Sequence, residues 1–336
     1  MSILDYLKAF AIILVIINHS WPESLKDAPI FIFIIRMAVP IFMVVSGYTF
    51  AMSYCKYNNF KGMYSLKSLI SKFVRFTVPV IITYLLFIVY KVAQTGPVGI
   101  KEIVKTFIMS DYGKGSYYYA LLIQLLLIFP LIYAVMKKSK YGLLAIGAVN
   151  LVYEIMIHII DIGIPLYRIV FFRYLLFVGM GSFLYMYRNR INIFVLISSF
   201  VIGSIYLLSY NYLGYELKLF TYQPWANTSM ISAFYIFPFM YVACYKFKDF
   251  RFRGLTDKLL SNIGKASYQI LFVQMIYFWV ADRFYNKVNF PLVVQIIINV
   301  GICTTIGIIY LKYDNIMVNA INNILVPKNK NFKISA

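Results

Sequence analysis

Apolar residues run along this chain in blocks of about twenty, separated by short polar stretches that are mostly basic. Blocks of that length cross the hydrocarbon core of a bilayer as helices. The pattern predicts about ten such spans, at 3–20, 29–52, 76–95, 117–136, 141–158, 166–187, 192–212, 228–246, 266–284 and 289–311. Pro40, Pro79, Pro130 and Pro238 fall inside or at the edges of these spans. Membrane helices tolerate proline where neighbours re-satisfy the backbone. Segment 60–75 is amphipathic and is predicted to lie along the membrane surface before turning into the third span. The stretch 96–116 holds Gly96-Pro97, Gly99, Gly113 and Gly115 and reads as a long irregular connector, either a cap over a cavity or a plain solvated loop. From about residue 312 the chain reads as a basic tail. The expected fold class is an all-α polytopic membrane protein built as one membrane domain over residues 1–336.

Charge adds orientation. Lys56, Lys61, Lys67, Lys72 and Arg75 follow the second span, and Lys137, Lys138 and Lys140 follow the fourth. Arg188 and Arg190 follow the sixth, and Lys246, Lys248, Arg251, Arg253, Lys258 and Lys265 follow the eighth. The odd loops hold fewer cations and most of the acids, among them Glu23, Asp27, Glu102, Asp111, Asp161 and Glu216. The excess of Lys and Arg in the even loops predicts that both termini are cytoplasmic and that the odd loops face outward. The expected location is a bacterial cytoplasmic membrane, crossed many times. The net charge of +20 then belongs to membrane topology and does not call for a nucleic-acid partner. With 62% hydrophobic and only 13% charged residues, little polar mass is left for a separate soluble domain. Cys55, Cys244 and Cys303 lie far apart, and His19 and His158 are the only histidines, so neither a disulfide framework nor a metal site is expected. The N-terminal block lacks a small-residue cleavage site, so no cleaved signal is expected.

Ionisable groups inside spans are costly and default to functional candidates. Lys8 and His19 bracket the first span, and the rise of a helix puts them about 16 Å apart along its axis, roughly half the core thickness. They read either as a snorkelling lysine and an end-of-helix histidine or as polar groups serving both sides of the membrane. Ser46 lies toward the cytoplasmic end of the second span and Arg36 in its outer half. Glu154 and His158 are in the outer part of the fifth span, and Arg168 and Arg173 in the outer half of the sixth. Asn150, Glu154 and His158 share one helix face at i, i+4, i+8. Glu154 needs a cation, for which Arg36, Arg168 and Arg173 are available. The cluster is either an ion-pair lock between helices or the lining of a polar cavity open to the outside. Tyr117, Tyr118, Tyr119, Tyr222 and Trp225 could face a sugar, although an interfacial aromatic belt accounts for most of these tyrosines equally well.

A basic residue, ten residues and a histidine in the first span, with Asp5 three residues before Lys8, resembles the acyltransferase-3 family of integral membrane acyltransferases. Val39-Pro40-Ile41-Phe42 followed by Ser46-Gly47-Tyr48 is similar to a further family segment, as are Arg75 with Pro79 and the run Gly264-Lys265-Ala266-Ser267-Tyr268-Gln269-Ile270-Leu271. The likeness extends over nearly the whole chain. One departure stands out: the family often has histidine where this chain reads Gln274, a side chain that hydrogen-bonds but does not titrate near neutral pH.

The resemblance implies transfer of an acetyl or other acyl group from cytoplasmic acetyl-coenzyme A to a hydroxyl of an envelope or capsular polysaccharide, with no metal. His19 is the group suited to take the hydroxyl proton, with Arg36 and Arg173 near the developing oxyanion. Lys8, Ser46 and Arg75 are candidates for the coenzyme A donor. Glu154, Tyr118 and Trp225 are candidates for the acceptor. Competing readings are a polysaccharide or small-molecule exporter, in which the same charges line a path, and an accessory subunit of a polysaccharide synthase. No pair of Gly/Pro-broken spans is evident in the two halves to favour a repeat-built transporter.

Overall fold

The structure, a computed structural model, describes residues 2–57, 60–217, 225–285 and 290–325. The described residues form helices and turns and no strand. The helices are α1 (Ser2–Ser20), α2 (Pro29–Phe33), α3 (Ala38–Tyr54), α4 (Phe60–Met63), α5 (Leu66–Thr95), α6 (Ile100–Ile108), α7 (Tyr117–Lys138) and α8 (Gly142–Ile160). They continue with α9 (Ile164–Ile169), α10 (Leu175–Tyr187), α11 (Ile193–Tyr212), α12 (Ser232–Tyr241), α13 (Gly254–Lys265), α14 (Ser267–Tyr285) and α15 (Leu292–Leu325). Among the described residues seven stretches are long and apolar enough to cross a membrane: α1, α2 with α3, α4 with α5, α7, α8, α11 and α15. Phe171–Tyr187 and Ser267–Ala281 are shorter apolar helices. The chain is a multi-pass membrane protein.

Four expectations need correcting. Residues 66–75 do not lie apart from the third span, because α5 runs unbroken from Leu66, where the Ser65 hydroxyl caps the Ser68 amide at 3.3 Å. The connector 96–116 is not irregular throughout, because Ile103 and Phe107 of α6 pack on the core. The second and sixth spans are not continuous α-helices. The 3-10 turn Ile35–Met37 interrupts the second and the turn Phe171–Tyr174 the sixth, and each turn carries an arginine, Arg36 and Arg173. Finally, residues 312–325 are not tail but the last turns of α15; 326–336 and Tyr222 lie outside the described residues.

Small residues set the tightest approaches. A Cβ on Gly47 would strike the Val178 carbonyl, and one on Gly181 the Val44 carbonyl, so α3 and α10 pack backbone to backbone at the centre. Without a hydrophobic driving force between helices in lipid, such close contact supplies the packing energy. Gly264 lies equally close to the Asp5 carbonyl and seats α13 against the start of α1. Helices α8, α11 and α15 bury only about a quarter of their apolar windows and turn the rest outward, as lipid-facing helices do.

Candidate active site

A cavity of about 640 Å³ runs beside α1 and is walled by α3, α5, α7, α14, α15 and the two interrupted spans. Lys8 and His19 both line it, so it extends over the roughly 16 Å that separates them on α1. Arg36, Ser46, Arg75, Tyr118 and Trp225 line it as well. Glu154, Arg173 and His158 do not.

The Lys8 end stands on regular helices. Lys8 pairs with Asp5 one turn earlier at 2.6 Å. Lys72 and Arg75 come from α5, Lys265 from the last turn of α13 and Asp314 from α15. The Lys72 ammonium sits 3.9 Å from the centroid of the Tyr54 ring, buried and with no hydrogen-bond partner. Cation–π attraction compensates only part of the hydration it has lost. Asp314 is buried; one carboxylate oxygen accepts from Gln269 Nε2 at 2.6 Å and the other has no partner. Four cations stand against two carboxylates here, Asp5 and Asp314, and this excess of positive charge suits a polyanion.

The His19 end stands mostly on irregular backbone. His19, in the last turn of α1, packs edge-on against Phe278 at 6.1 Å between ring centroids. Lys114 covers the same Phe278 ring at 4.6 Å. Gly115 supplies wall at φ +95, a backbone state glycine adopts without strain, against the Leu271 side chain. Arg36, on its 3-10 turn, lies over Phe31 at 5.1 Å. Trp225, Asn227 and Thr228 come from the turn that precedes α12.

Between the two ends Ser46 and Tyr118 meet, hydroxyl to hydroxyl, at 3.5 Å. Ser46, expected on the donor, and Tyr118, expected on the acceptor, thus stand side by side in one stretch of the wall. Tyr117 and Tyr118 also face the cavity instead of forming an outer belt.

Arg173 stands behind the wall. It is 1% exposed, and its guanidinium lies 4.8, 4.5 and 4.5 Å from the ring centroids of Tyr167, Tyr174 and Trp225. Its Nη2 donates to Thr228 Oγ1 at 3.1 Å, while Nε and Nη1 have no hydrogen-bond partner. Tyr174, Trp225 and Thr228 all line the cavity, so one buried cation holds three wall residues. The expected ion pair to Glu154 does not form. Glu154 accepts from the Tyr167 hydroxyl at 3.3 Å, and no Lys or Arg among the described residues comes within ion-pair distance. Arg168 instead pairs with Asp111 at 3.3 Å. On the shared face of α8, Asn150 accepts from the Leu176 amide at 3.0 Å and His158 is exposed.

Sequence reasoning passed over Lys72, Lys265, Gln269 and Asp314 as parts of this site. A usable signal existed for Asp314: Cys303, Gly307, Asp314 and Val318 recur at helical spacing on one buried face, which carries the helix past residue 311. Gln274, where the family often has histidine, is wholly buried outside the cavity wall, and neither of its amide atoms has a hydrogen-bond partner. The acyltransferase-3 family model, described as an acyltransferase domain, matches residues 1–313. No curated protein and no solved structure matches the chain.

Proposed function

Because this chain belongs to the acyltransferase-3 family of membrane acyltransferases, we propose that it moves an acetyl group from cytoplasmic acetyl-coenzyme A to a hydroxyl of an envelope or capsular polysaccharide on the outer side. The observation that carries this reading is the single cavity that joins Lys8 to His19. Its Lys8 end faces the cytoplasm in the orientation that the basic even loops favour, with both termini inside. Coenzyme A fits that end on the cations present: Lys8, Lys72, Arg75 and Lys265 meet its phosphates, and the unpartnered Lys72 ammonium gains a partner.

His19 acts as general base at the other end. The acceptor hydroxyl oxygen attacks the thioester carbonyl while its proton passes to the His19 ring. Arg36 donates to the oxygen on which negative charge develops. As the tetrahedral centre collapses the carbon–sulfur bond breaks, and the proton held by His19 goes to the departing thiolate. Arg173 contributes indirectly, by fixing Trp225, Tyr174 and Thr228 in the wall on which the acceptor rests.

The interrupted spans at Arg36 and Arg173 favour a second reading, an exporter, since broken membrane helices commonly line transport paths. Purified protein separates the two. Saturable binding of acetyl-coenzyme A and transfer of radiolabelled acetyl to a polysaccharide support the enzyme. Absence of thioester binding, with polysaccharide flux in vesicles, supports the exporter. Mass spectrometry of envelope glycans from cells with and without the gene identifies the acceptor.

A further inference from the structure

The wall at the His19 end is rich in donors, with the Asn18 amide beside His19 as an uncharged acceptor among them. Arg36 lines it with no ion pair or hydrogen bond among the described residues, its guanidinium resting on Phe31. Lys26 lines it too, paired with Glu23. Trp225 lines it with its ring, while its indole N–H is enclosed and has no partner. Asn227 has its side-chain oxygen occupied by Asn211 Nδ2 at 2.6 Å, which leaves its amide N–H groups as what it offers. The Thr228 hydroxyl is already spent, accepting from Arg173 and donating to the Trp225 carbonyl at 3.2 Å. Behind this wall Arg173 adds a buried positive charge. Two acids lie within electrostatic range of Arg36, Glu23 and Asp27, but both are exposed on the rim, where water screens them, and neither lines the cavity.

A neutral sugar hydroxyl both donates and accepts, and it is matched by mixed amides, hydroxyls and carboxylates. A carboxylate or a phosphodiester only accepts and carries charge. We infer that the acceptor is an anionic glycan, whose negative group is held by Arg36, Lys26 and the amide N–H groups of Asn227 while a neighbouring hydroxyl is presented to His19. This inference rests on the proposed acyl transfer to a glycan and narrows its acceptor class. The charge could come from a uronate carboxylate or from a backbone phosphate, and the wall suits either.

The test uses the purified full chain in detergent and three probes of equal length: an oligogalacturonate, its carboxyl-reduced neutral form and a phosphodiester-linked oligosaccharide. Equilibrium binding is measured by calorimetry at low and moderate salt. At least one anionic probe is expected to bind about tenfold tighter than the neutral form, a margin typical of one charged hydrogen bond. The margin should shrink with salt, and whichever anion binds tighter identifies the source of charge. Arg36→Gln, checked for a normal melting profile, should erase the margin. If Arg36→Gln does not fold, Lys26→Gln decides, because Lys26 lines the cavity from a part-exposed turn and its charge is removed without emptying the packed wall; the margin should then fall by about threefold. Neutral and anionic probes binding alike, or a margin untouched in whichever of these variants folds, overturns the inference. Acetyl transfer, measured in parallel, tests the underlying reading separately. An anion that binds tightly but never receives acetyl leaves the anion site standing and removes the proposed reaction. Equal acetylation of the neutral probe, with equal affinity, does the reverse.

Discussion

The two ends of the cavity are made differently. At the Lys8 end every charged side chain rides on a regular helix: Lys8 on α1, Lys72 and Arg75 on α5, Lys265 on α13, Asp314 on α15. At the His19 end only His19 itself does, in a last turn; Arg36, Gly115, Asn227 and Thr228 sit on 3-10 turns or glycine-containing loop. Regular helices hold a side chain within a narrow range and suit a donor that never varies. Short turns between helices accept substitution without disturbing the bundle, and they are where a recognition surface is free to change. In this reading the donor, one fixed molecule, meets the rigid end and the acceptor meets the irregular one.

The strongest way to break that division is at His19. With general base catalysis worth about 10²–10⁴-fold in rate, His19→Ala should lose turnover by that amount while acetyl-coenzyme A still binds. Turnover within a few-fold of normal, in a purified assay, removes His19 from the chemistry. Loss of thioester binding in the same variant would show that the two ends are not separate at all.

Lys72→Ala is the reciprocal change. A hydrogen bond to a charged group is worth about 1.5–3 kcal/mol, so removing this ammonium should raise the apparent KM for acetyl-coenzyme A by about 10–100-fold. Turnover at saturation should hold. The variant also relieves a buried cation that has only the Tyr54 and Phe50 rings for company, so thermal stability should not fall. A drop in turnover with unchanged KM would place Lys72 outside donor binding.

The same contrast explains what was legible in the sequence. Lys8 and His19 were readable because one helix connects them, and a constant rise per residue turns spacing into distance. Arg36 and Arg173 were readable as intramembrane cations, but their 3-10 turns were not, because neither break follows from glycine or proline at the arginine and the apolar pattern runs straight through both. Trp225 could not be told from a belt residue, since that depends on which way a short turn folds back. Asp314 was lost for a different reason: Lys312 and Asp314 look like the start of a polar tail unless the small-residue face of α15 is followed beyond them. The pairing of Ser46 with Tyr118 joins α3 to α7 across 72 residues of chain and has no local signature.

Arg173→Lys should act more mildly, because Arg173 reaches the cavity only through its neighbours. Lysine keeps the charge but loses the planar face that three rings surround and the fork that reaches Thr228. Cation–π contacts of this kind are worth about 0.5–2 kcal/mol, so the acceptor KM should rise several-fold while the donor KM stays put. The split between acceptor and donor KM is the readout that a merely structural role would not produce, since loss of fold would move both. Equal loss in kcat for every acceptor would instead mean that Arg173 contacts the reacting atoms.

Glu154→Gln should have the smallest effect, and its sign follows from the contacts. The carboxylate is 2% exposed, accepts one hydrogen bond from Tyr167 and leaves its other oxygen unpartnered. The amide of glutamine has nearly the same shape and keeps an oxygen to accept from Tyr167. Removing the charge removes the cost of burying an unpaired carboxylate, which favours the variant. It also removes the anion within electrostatic range of Arg173, which disfavours it. That attraction acts beyond ion-pair distance and without a shared hydrogen bond, so burial is the larger effect and stability should rise, by no more than about 1 kcal/mol, a melting shift of a few degrees. Both KM values should stay within about twofold, because Glu154 is absent from the cavity wall. A tenfold rise in acceptor KM, in protein that melts normally, would put Glu154 in contact with the acceptor. The His19 end would then extend behind Trp225 to α8, and its irregular turns would be an entrance to the site instead of its wall.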